Sequence, residues 1–475
     1  MPSPNFKYRD NIIAPATPPG TGAISVLRLS GPDVIAITDR LFVPKGKTSL
    51  SQAAGHTLHY GELRDGEELL DEVLVSVFKA PKSYTGENAV EISLHASPYI
   101  QQRVLQWFLQ QGVRMAEPGE FTLRAFLNGK MDLTQAEAVA DLIAAETSWQ
   151  HKTAMGQLRG GFSKKIKQLR DRLVEFAALT ELELDFAEED VEFADRNKFA
   201  ELINEIKHTL QELIEGYQTG KIIKEGIPVA ITGEPNTGKS TLLNALLNEE
   251  KAIVTDIPGT TRDAIEDSLI LDGIKFRFID TAGIRQASDK VEQIGIKRTF
   301  EKIREARIVL LLADASQLAR NRRKCQETLA RLNEWKNKFP DKTIVLVLNK
   351  TDLIDSQNLK SLLNCFNALR GIHVIHMSAK KREGIERLEN FLKSQIHAGR
   401  IQASQVLVTN ARHYAALRKA LESIRAVEEG LRQGLSADLL AVDIRDALHH
   451  LGEITGEITT DDLLGHIFRN FCIGK

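Results

Sequence analysis

The stretch Gly233-Glu-Pro-Asn236-Thr237-Gly238-Lys239-Ser240-Thr241 fits the pattern G-x-x-x-x-G-K-[ST] without a mismatch. It follows the apolar run Pro228–Thr232 and precedes Leu242, Leu243, Leu246 and Leu247, which recur at helical spacing. A strand, a glycine-rich turn and a helix start are the context that such a phosphate-binding loop requires. Glycines let the backbone wrap around phosphate oxygens so that its N–H groups converge on them, and the helix N-terminus adds partial positive charge. Lys239 would bridge the β- and γ-phosphates and the Ser240 hydroxyl would ligate Mg²⁺. The bland alternative, a glycine-rich turn with no ligand, does not account for a lysine and a hydroxyl in those two slots.

Two further motifs follow in order. Asp280-Thr281-Ala282-Gly283 comes directly after the apolar run Phe276–Ile279. An aspartate at such a strand end can hold Mg²⁺ through water, and Gly283 would let its N–H approach a γ-phosphate. Asn349-Lys350-Thr351-Asp352 follows Ile344–Leu348. A carboxylate there can accept both the N1–H and the 2-amino group of guanine, which adenine does not offer, and buried hydrogen bonding of this kind discriminates strongly. Ser378-Ala379-Lys380, after the next strand, would offer the Ala379 N–H to guanine O6. Alone, Asp-x-x-Gly is a common turn and Asn-Lys-Thr-Asp a helix cap. Their order behind the glycine-rich loop makes them a nucleotide site.

The residue after Gly283, where Ras-like enzymes carry the glutamine that positions the attacking water, is Ile284. An apolar side chain cannot accept a water proton. Glu292 and Glu266 are the candidate replacements, with Arg262 and Arg285 available to stabilise charge.

These motifs need a scaffold. From about 222 to 396, apolar strands (Pro228–Thr232, Phe276–Ile279, Ile308–Ala313, Ile344–Leu348, His373–His376) alternate with helical segments, the pattern of a parallel sheet with crossover helices. Residues 1–130 read as α+β, with strands at Ala23–Leu29, Val73–Phe78 and Ala89–Leu94 and helices near Asp33–Leu41 and Tyr99–Gln111. Residues 131–221 are helical, with Thr134 and Glu137 at capping-box spacing. Apolar positions there recur at Ile166, Leu169, Leu173 and Phe176, and the acidic stretch Glu188–Asp195 reads as a turn between long helices. The helical period returns in 398–475, at Tyr414, Leu417, Leu421 and Ile424. The economical arrangement is a multidomain α/β and α protein. An N-terminal α+β domain precedes a helical domain interrupted by an inserted nucleotide-binding domain, 222–397, whose ends lie close together.

Composition constrains the function class. The 475 residues carry 62 Lys+Arg against 64 Asp+Glu, a net charge of −2. That excludes a protein that coats nucleic acid by bulk charge. Apolar residues at 42% and charged residues at 27% suit several ordinary cores rather than a disordered chain. The three cysteines, Cys325, Cys365 and Cys472, are widely spaced, so neither a disulfide framework nor a zinc site is expected. No apolar run approaches the length of a membrane span, and residues 1–10 have no signal-like core. A soluble cytoplasmic protein is the expectation.

The three nucleotide motifs resemble the GTP-binding domains of the translation-factor-related GTPases, over Ile222 to about Phe391. Pro258-Gly259-Thr260-Thr261-Arg262-Asp263, Asp280-Thr-Ala-Gly-Ile-Arg285 and Val291-Glu-Gln-Ile-Gly295 are similar, more closely, to the bacterial tRNA-modification GTPase family MnmE, also called TrmE. Ala16-Thr-Pro-Pro-Gly20, Tyr84-Thr-Gly-Glu87, Pro118-Gly-Glu-Phe121, Arg124-Ala-Phe-Leu-Asn128 and Phe471-Cys-Ile-Gly-Lys475 extend that resemblance over the whole chain. It implies that Thr261 joins Ser240 as an Mg²⁺ ligand and that Glu292 orients the water. It also implies that K⁺ is held by Asn236, Thr255, Ile257 and Thr260 in place of an arginine finger. Asp256, Pro258 and Gly259 complete the nucleotide-facing loop. A tetrahydrofolate derivative (5-formyl or 5,10-methylene) would meet Arg28, Glu91, Lys130 and Lys475, and Cys472 would serve chemistry or partner docking. The implied protein is a homodimer whose nucleotide domains pair during turnover. With the FAD-dependent flavoprotein MnmG (GidA), it adds a carboxymethylaminomethyl or aminomethyl group to C5 of the wobble uridine, position 34, of certain tRNAs. The competing reading is a ribosome-assembly GTPase of the Era or Der kind, which calls for a basic KH-like module after the nucleotide domain.

Overall fold

The computed structural model describes residues 10–185, 196–247, 267–279, 300–367, 369, 371–395, 407–469 and 471–474. The chain forms two compact units. One comprises Met1–Ala145, Thr153–Glu215 and Ala411–Lys475, the other Glu146–Lys152 and Gly216–Asn410.

The first unit contains β1 (Ile12–Pro15), β2 (Gly22–Ser30), β3 (Phe42–Pro44), β4 (Thr57–Asp65), β5 (Glu68–Phe78), β6 (Ala89–Ala96) and β7 (Arg114–Met115). They form one sheet in the order β3-β4-β5-β6-β2-β1-β7, antiparallel except where β1 pairs with β7. Alternation drives it: Val73, Val75 and Val77 on β5 point to one face and are buried with Leu27, Leu29, Val90 and Ile92. Helices α1 (Val34–Leu41) and α2 (Pro98–Gln110) supply Val34, Leu41, Val104 and Phe108 to the same core. The expected strands and helices are present. The structure adds β1, β3, β4 and β7.

Helices α3 (Glu120–Leu127), α4 (Leu133–Ile143), α5 (Ser148–Leu158), α6 (Gly161–Asp185) and α7 (Arg196–Glu225) follow. Ile166, Leu169, Leu173 and Phe176 on α6 are buried, as their spacing requires. The capping box lies two residues earlier than Thr134 and Glu137 suggested. The Asp132 side chain accepts from the Gln135 backbone N–H, and the Gln135 side chain accepts from the Asp132 N–H. Asp132 wins because its carboxylate holds the extended position just before the helix. Thr134 is instead buried within the first turn and hydrogen-bonds Ser163. Glu137 turns inward to His413 at 2.6 Å and Arg412 at 3.1 Å. Tyr414 is half-buried, and its neighbour His413, 2% exposed, occupies the inner position of that turn. The stretch Glu188–Asp195 falls outside the described residues.

The second unit is built on β8 (Ile227–Gly233), β9 (Asp267–Leu271), β10 (Ile274–Phe278), β11 (Ile308–Asp314), β12 (Thr343–Asn349) and β13 (His373–His376). The sheet order is β13-β12-β11-β8-β10-β9. All neighbouring pairs are parallel except β9–β10. The wholly parallel expectation is therefore corrected to a mixed sheet. Asp272-Gly273 closes a tight hairpin between β9 and β10, with both residues at positive φ. Helices α8 (Lys239–Leu247), α9 (Ala315–Arg320), α10 (Arg322–Lys338), α11 (Ser356–Asn367) and α12 (Ile385–Ser394) complete it. Every residue of β11 is buried, because apolar clusters cover both faces of the sheet. The segments that enter and leave this unit touch: a Cβ on Gly220 would lie 2.1 Å from the Val408 carbonyl oxygen.

The chain then runs through α13 (Ala411–Gln433), α14 (Ala437–Thr455) and α15 (Asp461–Phe468). Leu417, Leu421 and Ile424 are buried, as their period demands. No described helix is long and apolar enough to cross a membrane.

Candidate functional site

In an open parallel sheet the ligand crevice lies outside the carboxyl ends of the strands. In the second unit that edge collects Gly233 from β8, Asp314 from β11, Asn349 from β12 and the Met377–Lys380 loop after β13. The strands place these groups, so the loops need only short excursions from a buried frame.

The loop after β8 is shaped by its glycines. Gly233 has φ +148°, and a Cβ there would lie 2.4 Å from the Leu312 carbonyl oxygen. Gly238 has φ +96°, and a Cβ would lie 2.3 Å from the Asn349 side-chain nitrogen. Asn236 is left-handed at φ 61°. Thr237 is buried and its hydroxyl donates to the Glu234 carbonyl at 2.9 Å, closing the turn. Lys239 opens α8 and reaches back over the loop, donating to the carbonyls of Gly233 and Glu234 at 3.0 and 2.8 Å. Burial, and then the charge of Lys302, lower its pKa. Ser240 and Thr241 are exposed on the first turn of α8.

Asn349 ties this loop to the loop that follows β13. It is 2% exposed. Its side-chain nitrogen donates to the Thr237 carbonyl at 2.8 Å, and its oxygen accepts from the Ala379 N–H at 2.9 Å. The Ala379 N–H, expected to face guanine O6, is thus engaged by Asn349. Lys350 adopts φ 61° and pairs with Asp314 at 2.8 Å. Thr351–Leu353 forms a single 3₁₀ turn that holds Asp352 half-buried. The Thr351 N–H donates to the Met377 carbonyl at 3.2 Å, and Ser378 and Glu383 exchange backbone bonds that close the next loop. Ser378 is fully buried and Lys380 is exposed.

Asp314 is a site residue that sequence reasoning missed. Its Oδ1 caps α9 by accepting from the Ser316 and Gln317 N–H groups, while Oδ2 takes Lys350. Burial pushes its carboxyl up, but the bonds from Lys350 and Ser316 outweigh that and hold it below the usual range. The signal available was Asp314-Ala-Ser at the end of an apolar run, a helix-cap pattern.

Several expected residues lie outside the described residues: Thr255, Asp256, Ile257, Pro258, Gly259, Thr260, Thr261, Asp280, Thr281, Ala282, Gly283, Glu292 and Lys475. Glu266, Arg262 and Arg285 lie there too.

A second constellation sits in the first unit. Arg28 on β2 and Glu91 on β6 are register partners and form an ion pair at 2.8 Å. Arg28 also donates to the Gly474 carbonyl at 3.1 Å and lies over the Tyr84 ring at 5.6 Å. Burial raises the Tyr84 pKa, and its hydroxyl bonds Thr122 at 2.8 Å. Glu87 receives Arg124 at 3.2 Å, and Asn128 donates to the Thr85 carbonyl at 2.7 Å. Tyr84-Thr-Gly-Glu87 and the Phe121–Asn128 stretch therefore form one cluster. The tail docks beside it: Gly474 at φ +94° lies so close that a Cβ would be 2.2 Å from the Pro15 carbonyl oxygen. Lys130 is exposed and donates to the Pro81 carbonyl at 3.0 Å, on the flank of the same loop. Cys472 is exposed, and its carbonyl accepts from the Gly119 N–H at 3.4 Å. An arginine and a carboxylate beside an aromatic ring offer donors and acceptors to a flat polar heterocycle, so the residues fit a pterin-like group.

The family description "MnmE helical domain" matches residues 133–472, and "GTP-binding protein TrmE N-terminus" matches residues 11–130. A protein of Christiangramia forsetii named "tRNA modification GTPase MnmE" is 57% identical over 474 residues, covering 99% of this chain and 100% of that protein. One of the same name from Bacteroides fragilis is 49% identical over 474 residues, covering 98% of this chain and 100% of its own length. Among solved structures, the FeoB G-domain from Methanococcus jannaschii is similar at 27% identity and TM-score 0.24, over 35% of this chain and 96% of that one.

Proposed function

The chain belongs to the MnmE family of tRNA modification GTPases, and from that membership we propose that it hydrolyses GTP in the service of tRNA modification. The observation that carries the GTP reading is the Asn349 side chain, which joins the phosphate loop at Thr237 to the base-side loop at Ala379. A nucleotide lying along the strand ends would meet both loops at once.

The proposed roles follow from position. Backbone N–H groups of 236–241 and the Lys239 ammonium hold the phosphates. Asp352 accepts the two guanine donors, and Asn349, Lys350 and Thr351 shape its turn. Ser378, Ala379 and Lys380 border the base. Asp280 to Gly283 and Thr255 to Thr261 would meet the γ-phosphate side of the nucleotide. Glu292 accepts a hydrogen bond from the attacking water and so aligns it with the phosphorus. Ser240 and Thr261 would hold Mg²⁺, and Asn236, Thr255, Ile257 and Thr260 would hold K⁺. When bound, these cations offset charge that develops on the phosphate oxygens.

In the first unit, Arg28, Glu91, Lys130 and Lys475 would hold a tetrahydrofolate derivative, with Cys472 near it on the tail. We further read 222–397 as a nucleotide domain inserted between helical parts 131–221 and 398–475, with 1–130 as the dimerising domain. The proposed product is a C5 carboxymethylaminomethyl or aminomethyl group on wobble uridine, made in the cytoplasm with the flavoprotein MnmG. The helices α13 to α15, which follow the second unit, stand where an Era-type protein would carry a KH module. The test is the nucleoside composition of tRNA from cells lacking this chain. Loss of the C5-modified wobble uridines supports the reading, and an unchanged profile contradicts it.

A further inference from the structure

Two thiols forty residues apart in sequence meet in the second unit, against the expectation that the three cysteines are too widely spaced to pair. Cys325 lies in the first turn of α10 and Cys365 in the last turn of α11, with their sulfurs 3.8 Å apart. Cys325 is half-buried and packs against the apolar cluster on that face of the sheet, as Leu329 and Leu363 do, and Cys365 is exposed. The bland account is a helix–helix seam closed by two small side chains. That account needs no particular residue type on either side, whereas two sulfurs in contact can react with each other. A disulfide has an S–S distance of about 2.05 Å, so closure moves the sulfurs by less than 2 Å. Both residues sit in terminal helix turns, where the backbone is least tightly held.

We propose that Cys325 and Cys365 form an oxidation site that closes to an intramolecular disulfide when the chain meets a peroxide. Exposure sets the order of events. The Cys365 thiolate attacks a peroxide oxygen, the O–O bond breaks, hydroxide leaves, and Cys365 becomes a sulfenic acid. The Cys325 thiolate then attacks the Cys365 sulfur, the S–S bond forms, the S–O bond breaks, and a second hydroxide leaves. The two thiol protons convert both hydroxides to water, so two thiols and one hydrogen peroxide give one disulfide and two waters. Burial, and then the hydrogen bond from Cys365, push the Cys325 thiol up to about 11, which disfavours it as the thiol that meets peroxide first.

The position gives the cross-link a consequence. Lys324, the neighbour of Cys325, pairs with Glu234 of the glycine-rich loop at 3.2 Å. The helix bearing Cys365 follows the Asp352 turn. A disulfide would fasten together the helices that flank both loops. In a reducing compartment such a bond is transient, formed under oxidant and removed by thiol exchange. The proposal stands on the sulfur geometry and does not depend on the nucleotide reading.

The test treats the full-length, fully reduced chain with hydrogen peroxide, alkylates the remaining thiols and maps the peptides without reduction. The expected result is a Cys325–Cys365 peptide pair two hydrogens lighter than the separate peptides, alkylated Cys472, and reversal by dithiothreitol. Cys325→Ser is expected to leave Cys365 as a sulfenic acid that dimedone traps. Cys365 passing to sulfinic acid in the wild-type chain while Cys325 stays alkylated would overturn the proposal. So would bridges formed only to Cys472 or between chains, or both thiols remaining alkylated under peroxide.

Discussion

The Asn349 side-chain nitrogen donates to the Thr237 carbonyl at 2.8 Å, across 112 residues of sequence. Through that bond, and the one its oxygen accepts from Ala379, the glycine-rich loop and the loop after β13 share one buried fastening. Gly238 makes room for it, since any side chain there would occupy the space of the Asn349 amide.

Asn349→Ala therefore removes one side chain and strands two buried backbone groups. Each such group costs about 1–3 kcal/mol, so guanine-nucleotide affinity should fall at least about tenfold. Titration with a fluorescent GDP analogue reads this directly. Wild-type affinity in the variant would show that the two loops are positioned independently.

Asp352→Asn keeps the shape of the 3₁₀ turn but replaces a carboxylate with an amide that cannot accept both guanine donors. The ratio of GTP to ATP affinity should narrow by about tenfold or more. An unchanged ratio would remove Asp352 from base selection.

Glu292→Ala should lower kcat while leaving the Kd for GTP near the wild-type value, because the proposed carboxylate acts on water rather than on nucleotide. Single-turnover hydrolysis alongside equilibrium binding separates the two. Normal turnover would remove Glu292 from the catalytic assignment.

Hydrolysis should be faster in K⁺ than in Na⁺ at equal ionic strength, and Asn236→Ala should abolish the difference. Equal rates in the two salts for the wild-type chain would contradict the potassium assignment.

The Glu137–His413–Arg412 cluster makes stability depend on acid. Burial raises the Glu137 carboxyl, but the His413 and Arg412 charges outweigh it and bring the pKa from 4.5 to about 2. Its folded pKa is thus depressed, so the contribution is complete above about 4.5 and is lost as pH falls toward about 2. The size of that contribution is about 3 kcal/mol. Glu137→Gln should lower the thermal midpoint at pH 7 and flatten its dependence on pH between about 4.5 and 2. Parallel curves for variant and wild type would show that the cluster does not couple protonation to folding.

What could be read in advance follows from the range of each interaction. The glycine-rich loop and the Asn349-Lys-Thr-Asp352 turn were legible because each packs its residues into a few consecutive positions after an apolar strand, while Asp280-Thr-Ala-Gly283 lies outside the described residues. Helical faces such as Ile166, Leu169 and Leu173 were legible from their period. The role of Asn349 was not, because its partners Thr237 and Ala379 are distant in sequence and both contribute backbone atoms, which leave no mark on residue type. Asp314 was missed because an aspartate at a strand end reads equally as a helix cap, and it serves as both. The antiparallel β9 escaped because its five residues, Asp267–Leu271, mix polar and apolar types as an edge strand does. The contact between Cys325 and Cys365 depends on how α10 and α11 pack, which periodicity alone does not specify.

The central claim is that the second unit turns over GTP, and phosphate release by the purified full-length chain measures it most directly. With Mg²⁺ and K⁺ present, we expect GTP to be hydrolysed, ATP to be turned over far more slowly, and Lys239→Ala to lose nucleotide binding. Equal turnover of ATP and GTP, or no phosphate release from GTP by the wild-type chain, would contradict the account.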